Sequence, residues 1–450
     1  MLNITELLSV LNEQFSQTNL QHFAIIIESI LGLSNSVTTL SIARYSPLSY
    51  RTIQRFYALR EVNWLLVNLL LFKSFVYRSG KHYLLVADET VKAKAGKCTH
   101  GIGRFYSSIA RQVIRSVSFL VVSIIDVETE TSYVLGSQQL IPTPKITELI
   151  QPKRVKVKST IPKPKGRPKG SKNKVKTEPQ GISYQVLKTL LMLVKSQLRI
   201  FLPDLQCFHL VLDGFYGHED YLLLALENGF QIISKLKTNA HLILPFDGIQ
   251  IGRGRPKTNG QKVDLNNIDS KFFIQTIDDK DSNVKTNVYQ FQARTPKIAK
   301  HLLNVVVMVH IHKLTHKQSR TVLFTNDLKL DALTIIKYYS LRFQIEFDFR
   351  DAKQFYGLAD FKNYKQTQMT NAVNIAFTMT VIGKLVLEKY RNTLDCPTMG
   401  IIDLKSVFRS QKYAEILSGG EPLNNITFDP DVFLKSPQFL NLAKLEAIHI

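Results

Sequence analysis

Cysteine is scarce: three residues in 450, Cys98, Cys207 and Cys396, widely spaced and without a CxxC pair. That excludes a disulfide scaffold and a cysteine-based zinc finger, and it suits a reducing cytoplasm. Long apolar runs are also short in supply. The longest, around Trp64–Phe72, is interrupted by Asn68 and falls far below the roughly 20 residues of a membrane span. The N-terminus, Met-Leu-Asn-Ile-Thr-Glu, has neither a basic n-region nor an apolar h-region, so no secretory signal is expected. Acids are outnumbered: 36 Asp and Glu face 58 Lys and Arg, for a formal net charge of +22. With 44% hydrophobic residues, the chain is expected to build a sizeable core. Its length of 450 residues suits one large or two to three ordinary domains, at roughly 100–200 residues each. A basic excess of this size points to a polyanion partner, and nucleic acid is the commonest.

The excess is concentrated. Gln151–Lys176 holds eleven basic residues and no acid, half of the +22. Prolines 152, 162, 164 and 168 forbid a continuous helix or central strand there, so an extended basic loop is expected over 151–180. Within it, Gly166-Arg167-Pro168-Lys169 resembles an AT-hook core, whose arginine enters a narrow A·T minor groove. A second Gly-Arg-Pro core contains Arg255. The alternative is a solvated linker that touches phosphates without groove preference, with strongly salt-dependent binding in either case.

Residues 1–80 read helical. Thr38–Arg44, a turn at Tyr45-Ser46-Pro47, and Tyr50–Leu59 capped by Ser49 have helix-turn-helix spacing. Arg51 and Arg55 are then available to a groove; a plain helical hairpin is the alternative. Residues 81–240 alternate strands and helices: strands at Tyr83–Ala87, Val117–Val127, Thr131–Gln139, Cys207–Leu212 and Phe230–Lys235, helices at Tyr184–Arg199 and His218–Asn228. Residues 241–325 read as a β-rich insertion, 326–395 as helical again, and 396–450 as a tail of short helices and loops. The fold class is α/β.

Two acids stand at predicted strand ends, Asp88 and Asp213. Carboxylates brought together there suit hard divalent cations, although either alone could be a turn or cap residue. A third element is Tyr339…Arg342…Glu346…Lys353. At roughly 100° per residue these four share one face of a helix. The opposite stripe, Tyr338, Leu341, Ile345, Phe349, Ala352 and Tyr356, is largely apolar and fits a core-facing seam.

The spacing Y-x2-R-x3-E-x6-K resembles the signature of DDE transposases of the insertion-sequence-four (IS-four) family. The blocks Val86-Ala87-Asp88-Glu89-Thr90 and Leu212-Asp213-Gly214-x-Tyr216, the latter followed by Leu236-Lys237-Thr238-Asn239-Ala240, are similar to that family's two aspartate blocks. The resemblance spans residues 40 to 365. It implies an RNase H-like core interrupted by a β insertion, with Asp88, Asp213 and Glu346 as catalytic residues holding two Mg²⁺ or Mn²⁺ ions. It further implies Tyr339, Arg342 and Lys353 as phosphate contacts, Lys237 and Asn239 as further DNA contacts, and an N-terminal region that recognises terminal inverted repeats. The partners implied are transposon ends and target DNA, bound by a homodimer in the nucleoid of a prokaryotic cell. The chain departs from members that stack a flipped base on an insertion tryptophan, because its single Trp64 is N-terminal; Phe272, Phe273, Tyr289 and Phe291 are the aromatics that could substitute. Two other functions remain open on sequence: a non-catalytic DNA-binding derivative of a transposase, and a nuclease that hydrolyses without joining.

Overall fold

A computed structural model describes residues 4–60, 62–107, 110–142, 181–250, 254–278, 283–296 and 298–417. The basic run 151–176, with Arg167 and Lys169, lies outside the described residues, as does the tail beyond 417.

The chain opens on five helices: α1 (Ile4–Leu8), α2 (Gln17–Gly32), α3 (Thr39–Tyr45), α4 (Tyr50–Tyr57) and α5 (Trp64–Phe75). Their starts follow local chemistry. The side chains of Ser16, Thr38, Ser49 and Asn63 each accept an otherwise unpaired backbone N–H, and Thr38 forms a reciprocal capping box with Ser41. The α3–turn–α4 unit matches the helix-turn-helix spacing. Ile53, Phe56 and Tyr57 face inward, whereas Tyr50, Arg51, Gln54 and Arg55 are exposed.

Next come β1 (His82–Ala93), β2 (Gly103–Ser107), β3 (Gln112–Asp126), β4 (Thr131–Leu140), α6 (Ile182–Phe201), β5 (Gln206–Leu212), α7 (Glu219–Glu227) and β6 (Gln231–Leu236). Strand β3 pairs antiparallel with β1 and β4, while β1, β5 and β6 run parallel. The order β4-β3-β1-β5-β6 thus joins an antiparallel meander to a parallel half. Tyr83 to Ala87 are all buried, as expected of a strand covered on both faces.

The stretch read from sequence as an insertion supplies β7 (Ile243–Pro245), β8 (Asn259–Lys262), β9 (Phe273–Asp278), β10 (Val284–Thr295), β11 (Ile298–His312) and β12 (Gln318–Thr325). It is continuous with the sheet: β12 pairs with β6, β11 with β12, and β10 with β11, for twelve strands among the described residues. Helices α8 (Ala332–Leu341), α9 (Gln344–Gln354), α10 (Gln366–Leu394) and α11 (Ile401–Leu417) complete the fold.

The N- and C-terminal helices share one core. Trp64 Nε1 donates to Asn371 Oδ1 on α10 at 2.8 Å, and Asn371 donates onward to the carbonyls of Tyr57 and Leu59. On α11, Lys405 and Arg409 donate to the carbonyls of Ile30 and Gly32 at the end of α2, where a helix dipole favours cations. Helix α10 exceeds the apolar run at Trp64–Phe72. It is long and apolar enough by composition to cross a bilayer, but 83% of that stretch is buried inside the fold.

Two expectations need correction. The first strand does not end at Ala87. It continues through Asp88 to Ala93 because β3 keeps pairing with it, from Asp88↔Val121 to Ala93↔Ser116. Nor is Tyr339–Lys353 one regular helix. At Arg342-Phe343 the bonding tightens to i→i+3, with Arg342 N donating to Tyr339 O and Glu346 N to Phe343 O. Both residues keep right-handed helical dihedrals, and neither is proline or glycine. The result is a 3₁₀ joint between α8 and α9.

Candidate active site

Asp88 and Asp213 are brought side by side by strand register. The parallel pairing of β1 with β5 ends at Ala87↔Leu212, and each aspartate is the next residue, where the two strands part. The Asp213 turn is tied down on several sides. Its carbonyl accepts from Tyr216 N and from Ser234 Oγ, each at 2.9 Å. Gly217 lets this turn lie against β6, since a Cβ there would collide with the Lys235 carbonyl. Tyr216 is buried and donates its hydroxyl to Glu89 Oε1 at 3.3 Å, which links the turn back to β1.

Glu346 arrives on the first turn of α9. The helix is clamped to the sheet by a charge buried on its apolar side. Asp348, 0% exposed, accepts from Lys384 Nζ at 2.5 Å, Ser132 Oγ at 2.7 Å and Ser123 Oγ at 3.3 Å. Ser132 also donates to Gln344 O. Three donors, one of them a cation, offset part of the cost of burying the carboxylate, which burial still leaves raised. Sequence reasoning missed Asp348. Its signal is an acid placed between Ile345 and Ala352 on an otherwise apolar stripe.

Between the acids lies Arg342. Its Nη1 is 3.3 Å from Asp88 Oδ2 and its Nη2 is 3.1 Å from Glu346 Oε1. Tyr339 donates its hydroxyl to Asp213 Oδ1 at 3.4 Å, and the Arg342 guanidinium lies 5.9 Å from the Tyr339 ring. The Tyr-Arg pair of the helix motif therefore contacts all three carboxylates. Burial raises the Asp88 carboxyl to about 6, reinforced by Asp213 and Glu346 and opposed by the Glu89 N–H and Arg342. Burial works against the Arg342 charge, but the surrounding carboxylates outweigh it and raise its pKa. The Tyr339 hydroxyl is pushed up to about 12, first by burial.

Hard carboxylate oxygens are the right donors for Mg²⁺ or Mn²⁺. Among the described residues no three acids, histidines or cysteines form a ready-made metal cage. The guanidinium stands between Asp88 and Glu346, and it supplies the positive charge there.

The other sequence candidates are dispersed. Lys353 is half-buried at the end of α9, and its ammonium is lowered by burial and then by Lys92. Lys237, Asn239 and Arg255 are exposed on loops, and Arg51 and Arg55 lie on α4. Of the insertion aromatics, Phe291 is buried against Phe272, while Phe273 is 43% exposed beside Tyr289. His310 is engaged by Thr286 and Thr321, and His312 accepts from the N–H groups of Leu314 and Thr315.

The family described as DDE superfamily endonuclease matches the chain over residues 10–292, more than half its length. The protein belongs to this family, a class of DNA-cleaving enzymes named for carboxylate triads. The matched region contains Asp88 and Asp213 and ends before Glu346. Comparison with curated proteins found no match.

Proposed function

We propose that the protein is a transposase of the IS-four type that cuts DNA at terminal inverted repeats and joins the freed ends to target DNA. One observation carries the reading: carboxylates from two adjacent parallel strands and one helix converge on Tyr339 and Arg342 in the Tyr-Arg-Glu-Lys spacing. The strand order β4-β3-β1-β5-β6 supports an RNase H-like core, with the insertion leaving it after β6 and returning before the Glu346 helix.

In this reading Asp88, Asp213 and Glu346 would hold two divalent cations, which when bound activate the attacking oxygen and stabilise the leaving one. Arg342 balances the carboxylates beforehand and offers a planar donor pair to a phosphate. Tyr339 orients Asp213. Lys353 contacts the backbone of the cut strand. The clamp at Asp348 keeps Glu346 on the sheet. Water attacks a phosphodiester first, breaking a P–O bond to free a 3′-hydroxyl. That hydroxyl then attacks a target phosphodiester, and one such bond replaces another, so no ATP is required. The α3–α4 unit reads the repeats, and the basic run containing Arg167 and Lys169 adds backbone affinity, as does Arg255. Two protomers would pair two ends.

The test is strand transfer. Protein is incubated with Mg²⁺, a duplex carrying its element's end, and supercoiled plasmid. Joining of the 3′-hydroxyl end to plasmid is expected. Cleavage without joining would leave a hydrolytic nuclease, and binding without cleavage a DNA-binding derivative.

A further inference from the structure

Beyond the carboxylates, one face of the sheet carries a row of cations that, Lys353 apart, neither the helix motif nor the family match assigns. Alternate residues of a strand share a face, so Lys92 lies on the Asp88 side of β1. Lys92 pairs with Val117 on β3, and Arg115, two residues before Val117, is on the same side. Arg115 in turn pairs with Arg104 on β2. Lys94 follows β1, and its N–H donates to Arg115 O at 3.3 Å. Helix α9 covers this same face, since Asp348 binds Ser123, which is paired with Val86, and it brings Lys353 towards Lys92.

We propose that this face, running from the carboxylates to the β2–β3 hairpin, is a track for the phosphate backbone of duplex DNA. Lys92, Lys353, Lys362, Arg115 and Arg104 are its contacts, and Lys94 positions Lys362. Placing it beside the cut strand rests on the proposed function; its affinity for DNA does not.

The cations have little compensation from the described residues: Arg115 Nη2 donates to the Gly96 carbonyl at 3.3 Å, but a carbonyl carries no full charge. Among the described residues none of the five contact residues forms an ion pair. Asp360 is the acid that acts on Lys92, and its Oδ2 already accepts from Val37 N at 2.9 Å. Arg104 and Arg115 stand directly opposite each other, an arrangement that destabilises a sheet unless an anion intervenes. Burial, then Lys92 and Lys362, lower the Lys94 ammonium to about 8. Like charges gathered in this way suit a ligand with regularly repeated negative charge.

Lys94 has a different task. Its Nζ donates to Phe361 O at 2.7 Å and Asn363 O at 3.0 Å, and lies 4.0 Å from the centre of the Phe361 ring. Those carbonyls flank Lys362, so Lys94 fixes the segment that presents it. Four strand residues separate Asp88 from Lys92, about 13 Å, and seven helical residues separate Glu346 from Lys353, about 10 Å. At about 3.4 Å of rise per nucleotide, these contacts fall a few nucleotides from the reacting phosphate.

The test is a salt titration of the full chain on a random-sequence 30-base-pair duplex in EDTA, read by fluorescence anisotropy. Each cation lost from the track is expected to lower the slope of log K against log salt by up to about 0.9. Lys92→Gln with Lys362→Gln and Arg115→Gln should therefore lower it by about 2 to 3, and Lys92→Arg, Lys362→Arg and Arg115→Lys should restore it. Lys94→Gln should lower the slope in the wild-type background and leave it unchanged in Lys362→Gln, which separates positioning from direct contact. Arg104→Gln with Arg115→Gln changes two exposed side chains and removes one bond, to the Gly96 carbonyl, so a folding defect in the Lys92 variant does not remove the test. An unchanged slope in the hairpin and triple variants, with or without weaker binding, overturns the proposal. No cleavage chemistry enters this measurement, so a chain that binds along the track without cutting would sink the transposase reading alone.

Discussion

Arg342 Nη1 lies 3.3 Å from Asp88 Oδ2, and this contact does not fully offset the cost of burying the aspartate. Asp88 keeps a carboxyl raised from 3.8 to about 6, with burial as the largest cause. The native state therefore holds this proton more tightly than the unfolded chain between those values. By linkage the stabilisation from protonated Asp88 is present below pH 3.8 and is lost as pH rises through about 6. Asp88→Asn should stabilise the metal-free protein at pH 7.5 by up to about 3 kcal/mol and have little effect near pH 4. Denaturant unfolding at the two pH values checks this. Equal stability of variant and wild type at both would contradict it.

In the proposed mechanism the same guanidinium would compete with a divalent cation held by Asp88 and Glu346. Repulsion at such distances exceeds about 1.4 kcal/mol even at an effective dielectric of about 20. Arg342→Gln should bind Mn²⁺ at least about tenfold more tightly by calorimetry in the absence of DNA, while cleaving DNA more slowly. Unaltered or weaker Mn²⁺ binding would mean that the arginine does not occupy the cation's place.

The Asp348–Lys384 pair is a positioning device with a stability signature. Asp348→Ala leaves Lys384 without its counter-ion and the Ser123 hydroxyl without its acceptor beneath α9, and breaking such a buried pair costs about 3–5 kcal/mol. The denaturant midpoint should fall accordingly, and cleavage should fall with it because Glu346 loses its anchor. Asp348→Ala with Lys384→Met should recover much of the stability. Failure to recover it would place the loss in the serine hydrogen bonds.

Much of this was legible in the sequence, and the residues show why. The cap at Ser49 announces α4, because one side-chain oxygen decides where a helix begins; Thr38, read as the first residue of α3, is its cap. Asp88 and Asp213 mark the point where apolar strand patterning meets an acid. The length of β1 was hidden, since Glu89 to Ala93 become strand only through their pairing with β3. The 3₁₀ joint was hidden for a related reason: helical periodicity assumes a uniform turn, and nothing at Arg342-Phe343 forbids one. The facing of Arg104 and Arg115 depends on cross-strand register, and the meeting of Lys353 with Lys92 depends on how α9 lies on the sheet. Neither relation is written in local patterning. The +22 charge pointed to a polyanion; the fold shows how part of it is arranged beside three carboxylates.

The central claim is that Asp88, Asp213 and Glu346 form one metal-dependent cleavage centre. The most direct measurement compares wild type with Asp88→Asn, Asp213→Asn and Glu346→Gln on a labelled duplex carrying the element's end, with Mg²⁺ present and DNA binding measured alongside. The account predicts strand cleavage by the wild type, a loss of at least about a thousandfold, or 4 kcal/mol of barrier, in each variant, and retained DNA binding in all three. Near-wild-type cleavage by any one variant would contradict it.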